Sequence, residues 1–198
     1  MSTFTIEASA ICALLVAAGK KDIRYYLNGI HFNEKHAVAT DGHRLAVYRL
    51  DTPVKNESVY PSIIIPREVF DAVKIKPKGL VTITLPDKIT PESTTVTIDY
   101  MGVASTAALI DGKFPDYMRV VESSRTLSGE VAQFRADYLA DHLKISKILK
   151  PSLKFHAPII QYNGRGSAVV DFKTDYFFMI LMPCDPPKGY EYEHPDWL

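Results

Sequence analysis

No charge of one sign predominates in this chain. Its 198 residues carry 23 Lys and Arg against 23 Asp and Glu, a formal net charge of zero. A free-standing DNA-binding domain usually has a basic excess, because it must neutralise phosphates. The composition therefore argues against tight groove reading, yet it allows cations on one face and acids on another. Cysteine is scarce. Cys12 and Cys184 are too few and too far apart to be a disulfide framework, and Cys12 lies in an apolar run where a thiol packs as a small hydrophobe. With no signal-peptide pattern at the N-terminus, a reducing, cytoplasmic setting is the expectation, and Asn56-Glu57-Ser58 is then a chance sequon. No apolar run approaches the length of a bilayer span, so no membrane partner is expected. His31, His36, His43, His142, His156 and His194 lack zinc-ligand spacing. Asp41, His43 and Arg44 are close in sequence, but no nucleophile motif or phosphate-binding glycine loop accompanies them. The expectation is a protein without enzymatic activity, metal or cofactor.

What is present is enough apolar sequence for a sizeable core, 46 %, with an ordinary 23 % of charged residues. The pattern reads as three copies of one architecture: a strand, a helix, then several strands. In the first copy, Phe4 and Ile6 alternate with polar residues, and Ile11, Leu14, Leu15 and Ala18 follow at helical spacing with Gly19 as a stop. Strands are expected over Tyr25 to Phe32, Ala37 to Thr40 and Arg44 to Leu50, with Asp41-Gly42 as a tight hairpin turn. The second copy opens with Ile63-Ile64-Ile65. Pro66 suits a first helical position, Val69, Phe70 and Val73 form a short apolar stripe, and Pro77 and Gly79 end the helix. Strands follow at Leu80 to Leu85, Thr94 to Tyr100 and Val103 to Leu109. After a polar linker from Ser123 to Ser128, the third copy starts near Val131. Its helix carries Tyr138, Leu139, Leu143 and Leu149 and ends at Pro151; strands follow at Leu153 to Tyr162, Ser167 to Lys173 and Phe177 to Met182, with Asn163-Gly164 as a turn. Helices alternating with antiparallel meanders predict an α+β fold of three strand-helix-strands units, none able to bury its sheet face alone.

Three segments, in order, carry a resemblance. Asp22-Ile23-Arg24-Tyr25-Tyr26-Leu27-Asn28-Gly29, Ala39-Thr40-Asp41-Gly42-His43-Arg44-Leu45-Ala46 and Asp111-Gly112-Lys113-Phe114-Pro115-Asp116-Tyr117 resemble the middle domain of the bacterial DNA polymerase III β sliding clamps, and Met182-Pro183 resembles that family's C-terminal Met-Pro. The resemblance implies a β-clamp fold and a ring that encircles duplex DNA and tethers a polymerase. It divides the chain into 1–122, like the clamp middle domain, 129–184, like half of the last domain, and an irregular tail, 185–198. The family's ring has twelve such units and its subunit six; three are read here, so four chains would restore twelve, and a homo-oligomer, possible as a tetramer, is expected.

The resemblance also implies two sites. An apolar pocket for clamp-binding peptides of polymerase and clamp loader would be walled by Leu27, Thr40, Gly42, His43, Arg44, Leu45, Pro115, Arg119 and Val120, and closed by Ile180, Met182 and Pro183. From pattern alone, Asp41-Gly42 is only a turn, and Leu45 and Val47 only core. A DNA-facing surface would use Lys20, Lys21, Arg24, Arg67, Lys74, Lys144, Lys147 and Lys150 for loose, non-sequence-specific phosphate contacts; each also reads as an ordinary solvated cation. The tail His194-Pro195-Asp196-Trp197-Leu198 resembles a short docking peptide. The rival to a clamp is a mimic that forms no ring and sequesters clamp-binding replication proteins.

Overall fold

A computed structural model of the chain describes residues 1–50, 62–90, 93–123, 133–150, 152, 158–162 and 166–184. The Asn56 sequon, most of the Ser123 to Ser128 linker, Pro151, the start of the last meander, the Asn163-Gly164 turn and the tail lie outside the described residues.

The first unit runs β1 (Ser2–Glu7), α1 (Ala8–Ala17), β2 (Gly29–Phe32), β3 (His36–Thr40) and β4 (Arg44–Arg49); the second runs β5 (Ile63–Pro66), α2 (Arg67–Ala72), β6 (Leu80–Leu85), β7 (Thr95–Tyr100) and β8 (Val103–Ala108). The two exchange their first strands. β1 joins the sheet β1-β6-β7-β8, while β5 joins β2, β3 and β4. This exchange covers sheet edges that either unit alone would leave open. A short helix α3 (Tyr117–Ser123) follows, then α4 (Ala136–Leu149), β9 (Ile159–Gln161), β10 (Ala168–Asp171) and β11 (Phe177–Leu181). β11 pairs antiparallel with β4, from Phe177 opposite Tyr48 to Leu181 opposite Arg44, so the third unit extends the first unit's sheet to seven strands, β5-β2-β3-β4-β11-β10-β9.

α1 packs between this sheet and α4. Its Ala8, Ala10, Ala13 and Ala17 are fully buried and let the neighbouring backbones approach, and Ile11 and Leu14 fill the space between. Each of those two larger side chains contributes about 2 kcal/mol through burial. The helix ends at Ala17 because Gly19 must pass Leu27: its N–H donates to the Leu27 carbonyl at 2.9 Å, and a Cβ there would stand 2.9 Å from the same oxygen.

Several sequence expectations need correction. Tyr25–Leu27 forms a single 3-10 turn, not the start of a strand, and β2 begins only at Gly29. Pro66 closes β5 and caps α2, and helical residues begin at Arg67. The hairpin between β3 and β4 pairs Thr40 with Leu45, which leaves a four-residue loop in place of a two-residue turn; Gly42 supplies its positive φ of 86°. On α4 the buried face is Tyr138, Asp141, His142, Ile145 and Ser146, while Leu139 and Leu143 are exposed. α3 has no counterpart in the sequence pattern: Tyr117, Val120 and Val121 stand at i, i+3 and i+4, but seven residues give a single turn of that spacing, too short a signal to mark a helix.

The sheet's two faces hold two cores. Ala46, Tyr48, Phe177, Met179 and Leu181 point to the helices. Val38, Leu45, Val47, Ile64 and Ile180 point the other way, where Phe114 and Tyr117 cover them. This smaller core builds the site.

Candidate functional site

The irregular segment from Asp111 to Tyr117, which leads into α3, crosses the outer face of the seven-stranded sheet and is locked there by its aromatics. Phe114 stacks on the His31 ring, with centroids 4.5 Å apart and planes 8° from parallel. The Tyr117 hydroxyl meets Asn33 Nδ2 and His36 Nδ1, each at 2.9 Å. Burial raises the pKa of the Tyr117 phenol and lowers that of the His36 imidazole. His31 is held more firmly neutral, with burial pushing its pKa down to about 4.

Between this strap, the β3–β4 hairpin and the end of β11 lies a hollow of about 290 Å³. Leu27, Leu45 and Ile180 form its floor, each at 5 % exposure or less. Val120 of α3, Pro115 and the exposed Met182 form its apolar rim. Thr40, Gly42 and Arg44 supply the polar edge. Nine of the twelve residues expected at a cleft are thus brought together. The side chains of His43, Arg119 and Pro183 do not line it, although the His43 carbonyl accepts the Met182 N–H at 3.0 Å and so fixes the β11 end against the hairpin.

The hairpin is rigid through its own polar groups. Thr40 Oγ1 donates to the Arg44 carbonyl at 2.7 Å and accepts the Gly42 N–H at 3.0 Å. Asp41 Oδ1 accepts the N–H groups of His43 and Arg44 at 3.0 and 3.1 Å, the short-range bonding that favours Asp in turns. Arg44 then bridges outward. Its Nε donates to Asp41 Oδ2 at 3.0 Å, its Nη1 to Asp141 of α4, and its guanidinium lies 4.8 Å from the Tyr138 ring centre. The Asp141 carboxylate also receives Lys144 at 2.7 Å. Below this network His142 is buried, with Nε2 unpartnered among the described residues. Burial first, and the nearby Arg44 charge second, push its pKa down to about 4.

Sequence reasoning missed two lining residues, Tyr26 and Tyr117, and put a third elsewhere. Arg24, expected on the DNA-facing surface, lines the hollow: it bonds Asp22 at 2.8 Å and the Asp41 carbonyl at 2.9 Å, and this pairing holds the Asp22 carboxyl well below its usual range. The signal available for both tyrosines was their place inside the Asp22 to Gly29 and Asp111 to Tyr117 segments that carry the resemblance. Of the other cations, Arg67 is engaged structurally, donating to the Leu15 and Ala18 carbonyls at 2.6 and 3.2 Å and so capping α1. Lys150 bonds the Lys173 carbonyl at 2.6 Å. Lys20, Lys21, Lys74 and Lys147 are exposed. Among the described residues no cluster of three or more His, Cys, Asp or Glu could hold a metal, and no helix is long and apolar enough to cross a membrane.

Units that exchange first strands, stack their helices on one sheet face and fuse sheets end to end define a clamp-type α+β protein. The sequence profile of the DNA polymerase III beta subunit central domain matches residues 5–116, more than half of the chain. The chain belongs to that family. It is 37 % identical over 130 residues to the beta sliding clamp of Pseudomonas putida, a match covering 60 % of this chain and 34 % of that protein. With the beta sliding clamp of Escherichia coli the identity is 33 % over 127 residues, covering 60 % and 33 %. The chain thus matches about a third of the length of these curated relatives. In fold it is similar to the DNA polymerase III subunit beta of Borrelia burgdorferi solved with a natural product, at TM-score 0.69 and 14 % identity, over 93 % of this chain and 64 % of that one. It is also similar to a ligand-bound sliding clamp of Pseudomonas aeruginosa, at TM-score 0.64 and 20 % identity, over 93 % and 66 %.

Proposed function

We propose that this protein acts as a DNA sliding clamp or clamp-like processivity factor, in which residues 1–122 serve as a clamp middle domain and 129–184 as half of a last domain. It works by topological linkage to duplex DNA and by docking short peptides of DNA polymerase and clamp loader. It performs no catalysis and needs no cofactor, and it acts in the cytoplasm as a homo-oligomer. One observation carries the reading: the hollow between the Asp41-Gly42 hairpin and the end of β11, where an apolar floor is ringed by a few oriented polar groups. Such a site suits a short segment with apolar side chains, which gains affinity by burial and orientation from the polar edge. Exposed Lys20, Lys21, Lys74 and Lys147, with Lys144, supply scattered cations for sliding contacts, because sequence-independent phosphate contacts hold DNA without fixing a register.

The test uses a fluorescent peptide bearing a bacterial clamp-binding motif, together with circular and linear duplex DNA. The expected result is saturable peptide binding, weakened tenfold or more, about 1.4 kcal/mol, by Leu27→Asp and by the exposed-rim change Met182→Glu. The protein should stay on circular DNA and run off linear DNA. Unchanged affinity in both variants removes the cleft assignment. Intact peptide binding without retention on circular DNA replaces the clamp by the rival, a mimic that sequesters clamp-binding proteins.

A further inference from the structure

Each of the three units ends in a strand at the outer side of its meander: β4, β8 and β11. Two of them already pair with each other. β4 and β11 run antiparallel over five residue pairs, and this junction fuses the first and third units into one sheet. The third such strand, β8, is outside that ladder. Among the described residues β8 is the outer strand of β1-β6-β7-β8 and has no partner on its far side.

β8 also lacks the features that keep edges apart. Folded proteins blunt exposed edges with charge, proline, brevity or cover. Of the four sheet edges among the described residues, β1 ends in Glu7, β5 ends in Pro66, and β9 has three residues. β8 is six residues long, Val103-Ala104-Ser105-Thr106-Ala107-Ala108, with neither charge nor proline. Val103, Ser105 and Ala107 lie opposite Tyr100, Ile98 and Val96, whose side chains are buried in the core. Yet Val103, on that same face, is 54 % exposed. Ser105 and Ala107 on that face are half-buried, with Ala107 against the core, so the core face reaches this edge and is open at its Val103 end, as it would be if a further strand continued it.

We propose that β8 pairs antiparallel with β8 of a second copy of this chain, across a two-fold axis, and fuses two four-stranded sheets into one of eight strands. The partner is a second copy because the contact already seen inside the chain joins last strand to last strand, and an uncharged strand sets no like charges opposite itself. The geometry fixes more. Leu109 donates to the Thr94 carbonyl at 2.8 Å. By the alternation of an antiparallel ladder, Val103, Ser105 and Ala107 turn their main-chain groups toward β7, and Ala104, Thr106 and Ala108 turn theirs outward. Directly opposed residues must share a face, so the axis passes through a residue that faces its own copy, with Thr106 at or beside it. Because a two-fold contact closes on itself, any larger ring must alternate it with a second, different contact. The pairing does not depend on what the cleft binds.

Light scattering after size exclusion tests this with the full chain. The expected mass is twice the 22.2 kDa of one chain, or a higher even multiple. Thr106→Lys places like charges at the axis, and Thr106→Pro removes an outward donor while leaving the β7 ladder intact. Each should halve the mass with the circular dichroism spectrum unchanged. In a Cys184→Ser background, a short bismaleimide should join Thr106→Cys into a two-chain product and leave Leu80→Cys, exposed on another strand of the same sheet, as single chains. A wild-type mass of one chain at the highest soluble concentration overturns the proposal. So does an even multiple that folded Thr106→Lys leaves unchanged, since the contact then lies elsewhere.

Discussion

At the scale of single residues, the cleft owes its shape to side chains that are unremarkable in composition. Gly42 is required by its φ of 86°, and a Cβ there would also displace the Arg24 guanidinium, which lies 2.5 Å from its place. Arg24 is thereby folded onto the hairpin and holds it through Asp22 and the Asp41 carbonyl. Two imidazoles on opposite faces of the seven-stranded sheet make stability depend on pH. His31, stacked on Phe114, and His142, behind Arg44, both have pKa values of about 4 in the folded chain against an ordinary 6.5. Between those values the unfolded chain binds a proton at each and the folded chain does not. Stability from these groups is therefore complete above about pH 6.5 and falls as pH drops toward 4, by about 1.4 kcal/mol per pH unit for each imidazole. Urea unfolding across that interval should show the decline, and His31→Phe, which preserves a ring against Phe114, should make it shallower. A slope unaltered by His31→Phe would mean that His31 is already protonated in the fold.

At the scale of elements, α4 shows how a period is read correctly and its face wrongly. Tyr138, Leu139, Leu143 and Leu149 suggested the buried stripe, because leucine outranks aspartate and histidine on any hydropathy measure. In the fold, the face carrying Tyr138, Asp141, His142 and Ile145 turns inward. Asp141 is bound by Arg44 and Lys144, so a buried acid there is satisfied in a way that its own element cannot reveal. Ile145 is fully buried and Leu143 is 46 % exposed. Ile145→Ala should cost about 2–4 kcal/mol in denaturant unfolding, through lost burial and the cavity left behind. Leu143→Ala should stay within about 0.5 kcal/mol, as surface changes do. Equal costs would restore the leucine face. The pattern gives β6 to β8, β10 and β11 to within two residues at each end, because alternation and turn residues are local signals; of the strand expected over Leu153 to Tyr162, only Ile159–Gln161 is strand among the described residues. The 3-10 turn at Tyr25–Leu27 was missed, since aromatic residues score as strand wherever they pack.

At the scale of the whole molecule, the first and third units are joined by the β4–β11 ladder and by Arg44 reaching Asp141. The Arg44 and Asp141 side chains are only 12 % and 11 % exposed, so removing one partner leaves a poorly solvated charge. Asp141→Ala should destabilise the chain by about 2 kcal/mol, less than the loss of an isolated buried pair because Asp41 still holds Arg44. Hydrogen exchange should speed up in β10 and β11 and stay unchanged in β6 and β7; uniform acceleration would show that the units do not open separately. The sequence by itself determined the three-unit α+β plan, most strand limits, and nine of the residues around the hollow, since periodicity, turn chemistry and motif resemblance are carried by neighbours along the chain. It could not assign the exchange of β1 and β5 between sheets, the fusion of β4 with β11, the inward face of α4, or the turning of Arg24 to the cleft. Those depend on which groups, distant in sequence, satisfy one another's hydrogen bonds and charges, and only the tertiary structure brings such groups together.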